Sequence, residues 1–163
     1  MPAGYILLLA LLLAIVPAEA FTADALTIGL SENGDAQIDF EYTLSFLEKV
    51  AVFLKIGDPN EELKKALENN MHLPVSVEEV TDSSARFMVS GFATRKEGKN
   101  SFSLQTPPLS FAKAEEVLNQ YWFASLIQPD FSPGTTTITY PDGYTKTYTD
   151  KISIPKTSHT VKT

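Results

Sequence analysis

Side chains that could do chemistry are few in this chain, and their spacing does not favour it. Ser110-Phe111-Ala112-Lys113 places a lysine one helical turn from a serine, the spacing at which an unprotonated amine can take the hydroxyl proton. The parts that would complete such a site are missing. No Ser-Asp-Asn follows, and Lys156-Thr157-Ser158 stands where Lys-Thr-Gly would be needed. Ser110, just after Pro107 and Pro108, reads better as the cap of a helix. Glu61-Glu62, Glu78-Glu79 and Glu115-Glu116 are paired carboxylates, but adjacent residues diverge on a helix and point to opposite faces of a strand. With two histidines, His72 and His159, and no cysteine, the ligands for a zinc site are not there. His72 follows an expected helix end, where positive charge is favourable, and His159 lies in a polar tail. Glycine-rich phosphate loops and a G-x-S-x-G elbow are absent. The expectation is a non-catalytic protein with no cofactor and no metal. The alternative is a small hydrolase whose site joins distant residues, such as Glu78 or Glu79 with His72.

Two stretches read as candidate binding surfaces. The first is TTTITYPDGYTKTYTD, residues 135–150. Pro141 presets the first turn position and Gly143 accepts the left-handed one, which predicts a type I turn with a bulge at the glycine. That turn sets Tyr140 opposite Tyr144, Ile138 opposite Lys146 and Thr136 opposite Tyr148. On the other face Thr139 meets Thr145, Thr137 meets Thr147, and Thr135 meets Thr149. The tyrosine and isoleucine face is the one expected to lie on the domain. Six hydroxyls with methyls on the wet face suit a glycan or a crystal lattice. Threonine also simply prefers strands, and a twisted two-strand ribbon is small for lattice matching, so the expectation is the solvated side of a hairpin. The second stretch is Asn119-Gln120-Tyr121-Trp122-Phe123, on an expected helix. Trp122 and Tyr121 read first as core, and as a partner surface if they face outward. The partner would be a glycan or an envelope protein.

The chain opens MPAGYILLLALLLAIVPAEAF, with an apolar run over residues 5–16, then Pro17 and Ala18-Glu19-Ala20. That is the pattern of a secretory signal with cleavage after Ala20, and the run is short of the roughly 20 residues a spanning helix needs. No Lys or Arg precedes the run, so retention as an N-terminal membrane anchor is the alternative, and the only route to a membrane. There is no cysteine to carry a lipid. Cleavage leaves residues 21–163, enough for one domain without disulfides. Of the 20 acidic residues the leader holds only Glu19, so 19 acidic face 13 basic residues in the remainder, net −6. That balance repels nucleic acid and anionic lipid. The one basic cluster, Arg95-Lys96-Glu97-Gly98-Lys99-Asn100, is interrupted by Glu97 and reads as a hairpin tip. There is no Asn-x-Ser/Thr sequon.

The remaining signals predict an α+β fold in which helices pack on one face of an antiparallel sheet. Strands are expected at 25–30 and 36–42, joined through Asn33-Gly34. Two helices follow, over 45–56 with Ser45 and Glu48 as a capping box, and over 58–71 with Asp58 as cap and Pro59 in its first turn. Strands return at 75–80, 85–94 and 101–105. A third helix spans 111–127, and the hairpin closes the domain at about residue 155. The order is two strands, two helices, three strands, a helix and a hairpin. Residues 156–163, with little to bury, are expected to form a flexible tail.

Overall fold

A computed structural model of the chain describes residues 22–43, 72–112 and 130–163, together with Lys64, Glu68 and Glu116. These residues build eleven strands. β1 (Thr22–Leu30) and β2 (Ala36–Thr43) form the first hairpin, β3 (Val75–Val80) and β4 (Ser84–Val89) the second, and β5 (Thr94–Gly98) and β6 (Ser101–Gln105) the third. β7 (Leu109–Ser110) and β10 (Ser153–Ile154) pair as a short bridge. β8 (Thr135–Thr139) and β9 (Thr145–Thr149) form the threonine hairpin, and β11 (Ser158–Lys162) ends the chain.

The larger sheet has the order β3-β4-β2-β1-β8-β9 and the smaller the order β11-β6-β5. Every pairing is antiparallel except β1 with β8, where Ile28 lies beside Ile138 and Thr27 beside Thr137. Because side chains alternate along each strand, residues in register across several strands share a face. One row crosses the larger sheet as Val77, Phe87, Ile38, Ile28, Ile138 and Lys146. All but Lys146 belong to, or pack against, a single apolar cluster, which Phe102 and Leu104 of β6 and Val161 of β11 complete from the smaller sheet. The two sheets cover each other's apolar face.

This corrects the α+β expectation. The described residues are nearly all β and contain no helix packed on a sheet. The expected helix positions fall almost wholly outside the described residues, as do Tyr121 and Trp122. The physical reason lies in the smaller sheet: Phe102, Leu104 and Val161 occupy the place that helices were expected to fill. Ser110, expected as a helix cap, instead pairs with Ser153. The strand expected over 85–94 breaks at Val89. The backbone turns through Gly91, at φ 66°, and passes Phe92 and Ala93 into the core before β5 begins in the other sheet. Asp35 holds that turn by accepting the Gly91 N–H at 2.8 Å. Gly34, at φ 92°, is needed beside it, because a Cβ there would stand 2.3 Å from the Ala93 carbonyl oxygen.

Residues 158–162, expected as tail, are instead strand β11, in antiparallel register with β6 from Ser158 opposite Gln105 to Lys162 opposite Ser101. Thr157 and Val161 are buried and His159 is half-buried, so alternate residues face inward. Thr106 and Thr157 exchange backbone and hydroxyl bonds: Thr106 N–H donates to the Thr157 carbonyl at 2.8 Å, and Thr157 N–H to the Thr106 hydroxyl at 3.2 Å.

Two outcomes are expected from this packing. Ile138→Ala, at a side chain with no exposed surface, lowers the unfolding free energy by about 2–5 kcal/mol in urea melts. Deleting residues 156–163 uncovers Phe102 and Leu104 and abolishes a single cooperative transition; an unchanged melting curve would mean that β11 does not hold the smaller sheet.

Candidate functional site

The outward face of the larger sheet carries the other alternation. The row behind Ile28 runs from β3 to β9 as Glu79, Arg86, Asp39, Thr27, Thr137 and Thr147. Its neighbours on either side are Ala25 with Thr135 and Thr149, and Gly29 with Thr139 and Thr145. The hairpin register is the one its turn predicts, residue for residue. Gly143 N–H donates to the Tyr140 carbonyl at 2.9 Å, Tyr140 N–H donates to the Tyr144 carbonyl at 2.8 Å, and Gly143 sits at φ 82°.

The structure adds the third strand to this ribbon. β1 lies parallel beside β8 and contributes Ala25, Thr27 and Gly29, so the threonines form a three-strand field rather than a two-strand ribbon. Thr27, Thr135, Thr145, Thr147 and Thr149 are exposed, and Thr137 and Thr139 are half-buried. Spacing in such a field is about 4.8 Å across strands and roughly 6.8 Å between alternate residues along one strand. The Thr137 and Thr147 hydroxyls lie 3.5 Å apart, which orients one of them toward the other. Ala25 and Gly29, both with small or no side chains, keep the floor low beside the threonines. Thr27 escapes detection in the sequence because only the long-range β1–β8 register brings it to the hairpin.

A charged border closes the field on the β2 side. Arg86 Nε donates to Asp39 Oδ1 at 2.5 Å, and Gln37 Nε2 donates to the other carboxylate oxygen at 3.0 Å. Burial resists ionisation of Asp39, yet these two hydrogen bonds and the Arg86 charge outweigh it and hold the carboxyl below its ordinary value. Arg86 also reaches Glu79 at 4.0 Å. With Arg86 engaged on both sides, the border does not present a free cation to the field.

The underside of the hairpin is fastened to the C-terminal strand at two points. Tyr148 OH lies 2.8 Å from the Thr157 hydroxyl, which in turn donates to the Pro155 carbonyl at 3.1 Å. At the turn, His159 Nε2 donates to Asp142 Oδ2 at 2.7 Å, and its ring stacks on Tyr144 at 4.1 Å between centroids. Tyr140 meets the same imidazole edge-on at 5.0 Å. Burial pushes the Tyr140 phenol up to about 12. His159, expected in a polar tail, stands opposite Leu104 in the β11–β6 ladder, which aims it at the turn instead.

The remaining candidates do not converge. Glu79 pairs with Arg86, and Glu78 occupies the irregularity between Val77 and Glu79. β3 carries both glutamates away from His72, with about 13 Å of strand between Val75 and Glu79 alone. Among the described residues no group of three or more His, Asp or Glu side chains gathers for a metal ion. Arg95 of the basic hairpin is paired with Glu97 at 2.6 Å and covers the Phe102 ring at 3.8 Å.

The clasp at the turn yields a pH prediction. The hydrogen bond from His159 holds the Asp142 carboxyl below its ordinary value of 3.8. A depressed carboxyl favours folding above the unfolded-state value, and this contribution fades as pH falls through the folded-state value. Asp142→Asn is therefore expected to lower Tm near neutrality, with the gap to wild type closing below about pH 4 in melts across that range. A gap independent of pH would show that the carboxylate charge takes no part. Compared with known proteins, the chain matches no family model, no curated protein and no solved structure.

Proposed function

We propose that this protein is an extracytoplasmic, non-catalytic binding module that holds carbohydrate on its threonine field. One observation carries the reading: Thr27, Thr137 and Thr147 stand in register across three adjacent strands, with Thr135, Thr139, Thr145 and Thr149 beside them on the same face. A polysaccharide chain offers alternating hydroxyls and C–H faces along a flat ribbon. Threonine answers both, with a hydroxyl that donates and accepts and a methyl that packs on C–H. The β-sheet fixes the backbone beneath, and the branched side chains have few rotamers to lose on binding. Each hydroxyl contact contributes only about 0.5–1.5 kcal/mol, so useful affinity needs several at once, which an array supplies and a single loop does not.

The extracytoplasmic placement rests on the leader, with its apolar run over residues 5–16 and Ala18-Glu19-Ala20. The acidic balance supports a neutral ligand over nucleic acid or anionic lipid. The paired state of Arg86 and Arg95 points the same way, since neither offers a free guanidinium to a phosphate.

Pull-down on insoluble cellulose, chitin and peptidoglycan tests the ligand class. Retention on at least one is expected, with a drop of about tenfold or more in the Thr137→Val, Thr147→Val double variant, which keeps the β-branched shape and removes two hydroxyls. Equal retention by the variant, or none on any of the three, overturns the carbohydrate reading. N-terminal sequencing of the exported protein is expected to start at Phe21; a start at Met1 or Pro2 instead identifies a retained anchor.

A further inference from the structure

β9 ends the larger sheet, with β8 as its neighbour on one side. The backbone hydrogen bonds at both ends of the hairpin fix which way its peptide groups point. Tyr140 N–H donates to Tyr144, and Asp150 N–H donates to Gly134. In an antiparallel ladder these facing residues alternate, so Tyr144, Lys146, Tyr148 and Asp150 turn their peptide groups toward β8. Thr145, Thr147 and Thr149 turn theirs outward, and all three are exposed. An edge of extended, β-branched residues with outward donors and acceptors is a template for another strand.

The identity of that strand is constrained by Lys146. It shares the core-side row with the fully buried Ile138 yet is itself exposed, its amine 5.6 Å from the centre of the Tyr148 ring. An apolar strand laid on this edge would put an aliphatic side chain against the ammonium, and a strand with lysine there would repel it. We infer that β9 pairs antiparallel with β9 of a second copy, about a two-fold axis at Thr147. In that register Thr147 meets its own equivalent and Thr145 meets Thr149, so the outward N–H and C=O groups of all three threonines are satisfied. On the core side Lys146 lies opposite Tyr148 of the second copy in both directions. A cation is thus placed against an aromatic ring, and no two lysines face each other. A shift of one residue would set inward-turned peptide groups against outward ones and lose the ladder.

Self-pairing is the isologous arrangement that closes after two copies and leaves no β9 edge exposed. It joins the two threonine fields into one face. It extends the proposed function without depending on it, because the pairing stands on backbone geometry and on Lys146 with Tyr148, whereas ligand retention reads the hydroxyls.

Sedimentation equilibrium of the purified protein is expected to give twice the monomer mass at concentrations of about 100 µM. Thr147→Pro removes an outward N–H without touching the β8 ladder and is expected to give the monomer mass, with circular dichroism reporting that the sheet persists. Thr147→Val, which keeps the backbone donor, is expected to remain dimeric, so loss of carbohydrate retention alone separates the two ideas. Should Thr147→Pro fail to fold, the cysteine-free chain offers a second route. Thr147→Cys is expected to oxidise to a reducible dimer, since facing residues in an antiparallel pair lie about 5.5 Å apart at Cα, within disulfide reach. Thr137→Cys, one strand inward, is expected to form no disulfide-linked dimer under the same oxidation. A monomeric wild type, a dimeric Thr147→Pro, or equal cross-linking at both cysteines overturns the inference.

Discussion

The parallel contact between β1 and β8 is the interaction on which the architecture turns. Without it the four strands β3-β4-β2-β1 and the threonine hairpin would be two separate pieces, the hairpin a twisted two-strand ribbon with one apolar face exposed. With it, Ile28 sits between Ile38 and Ile138, both faces of the sheet become continuous, and the core-side row acquires its centre. The same contact brings Thr27 to Thr137 on the outward side. Hydrophobic burial on one face therefore fixes the register of hydroxyls on the other, because a one-residue slip would send Ile28 and Ile138 to solvent. Gly134 belongs to this junction: a Cβ there would stand 3.0 Å from the Asp24 carbonyl oxygen, and its N–H donates to Ala23.

What the sequence discloses follows the distance over which each signal acts. The register of residues 135–149 was legible to the residue, since Pro141, Asp142 and Gly143 set the loop length and alternation sets the faces. Asn33-Gly34 likewise marked the β1–β2 hairpin, and the strand expected from residue 85 carries Ala85, Phe87 and Val89 on one face, which is the buried one. The β1–β8 contact was not legible, because it joins the first strand to one far along the chain and no turn chemistry announces it. The C-terminal strand was missed for a different reason. Its inward residues are Thr157, His159 and Val161, of which only valine is apolar, so hydropathy is silent where hydrogen bonding and ring stacking do the holding. With residues 156–163 expected as a tail, the strand at 101–105 had no partner on that side, and helices were left to cover the core.

Of the candidate surface, the six hairpin threonines were readable as a face, while Thr27 and the low floor of Ala25 and Gly29 were not. That difference matters to the proposed function, since it turns a narrow ribbon into a field bounded by β9 on one side and by Asp39 and Arg86 on the other. The C-terminal strand supports the field from beneath. Tyr148 bonded to Thr157 and Asp142 bonded to His159 hold the two ends of β9 to the smaller sheet, and a rigid support lowers the ordering cost of binding at the outer face.

Methyl NMR of threonine during titration with a soluble oligosaccharide of the retained polymer tests the central claim most directly. The account predicts shifts confined to Thr27, Thr135, Thr137, Thr139, Thr145, Thr147 and Thr149, while the buried Thr106, Thr136 and Thr157 stay unmoved. Shifts centred on any other part of the molecule, with the outward threonines silent, would contradict it.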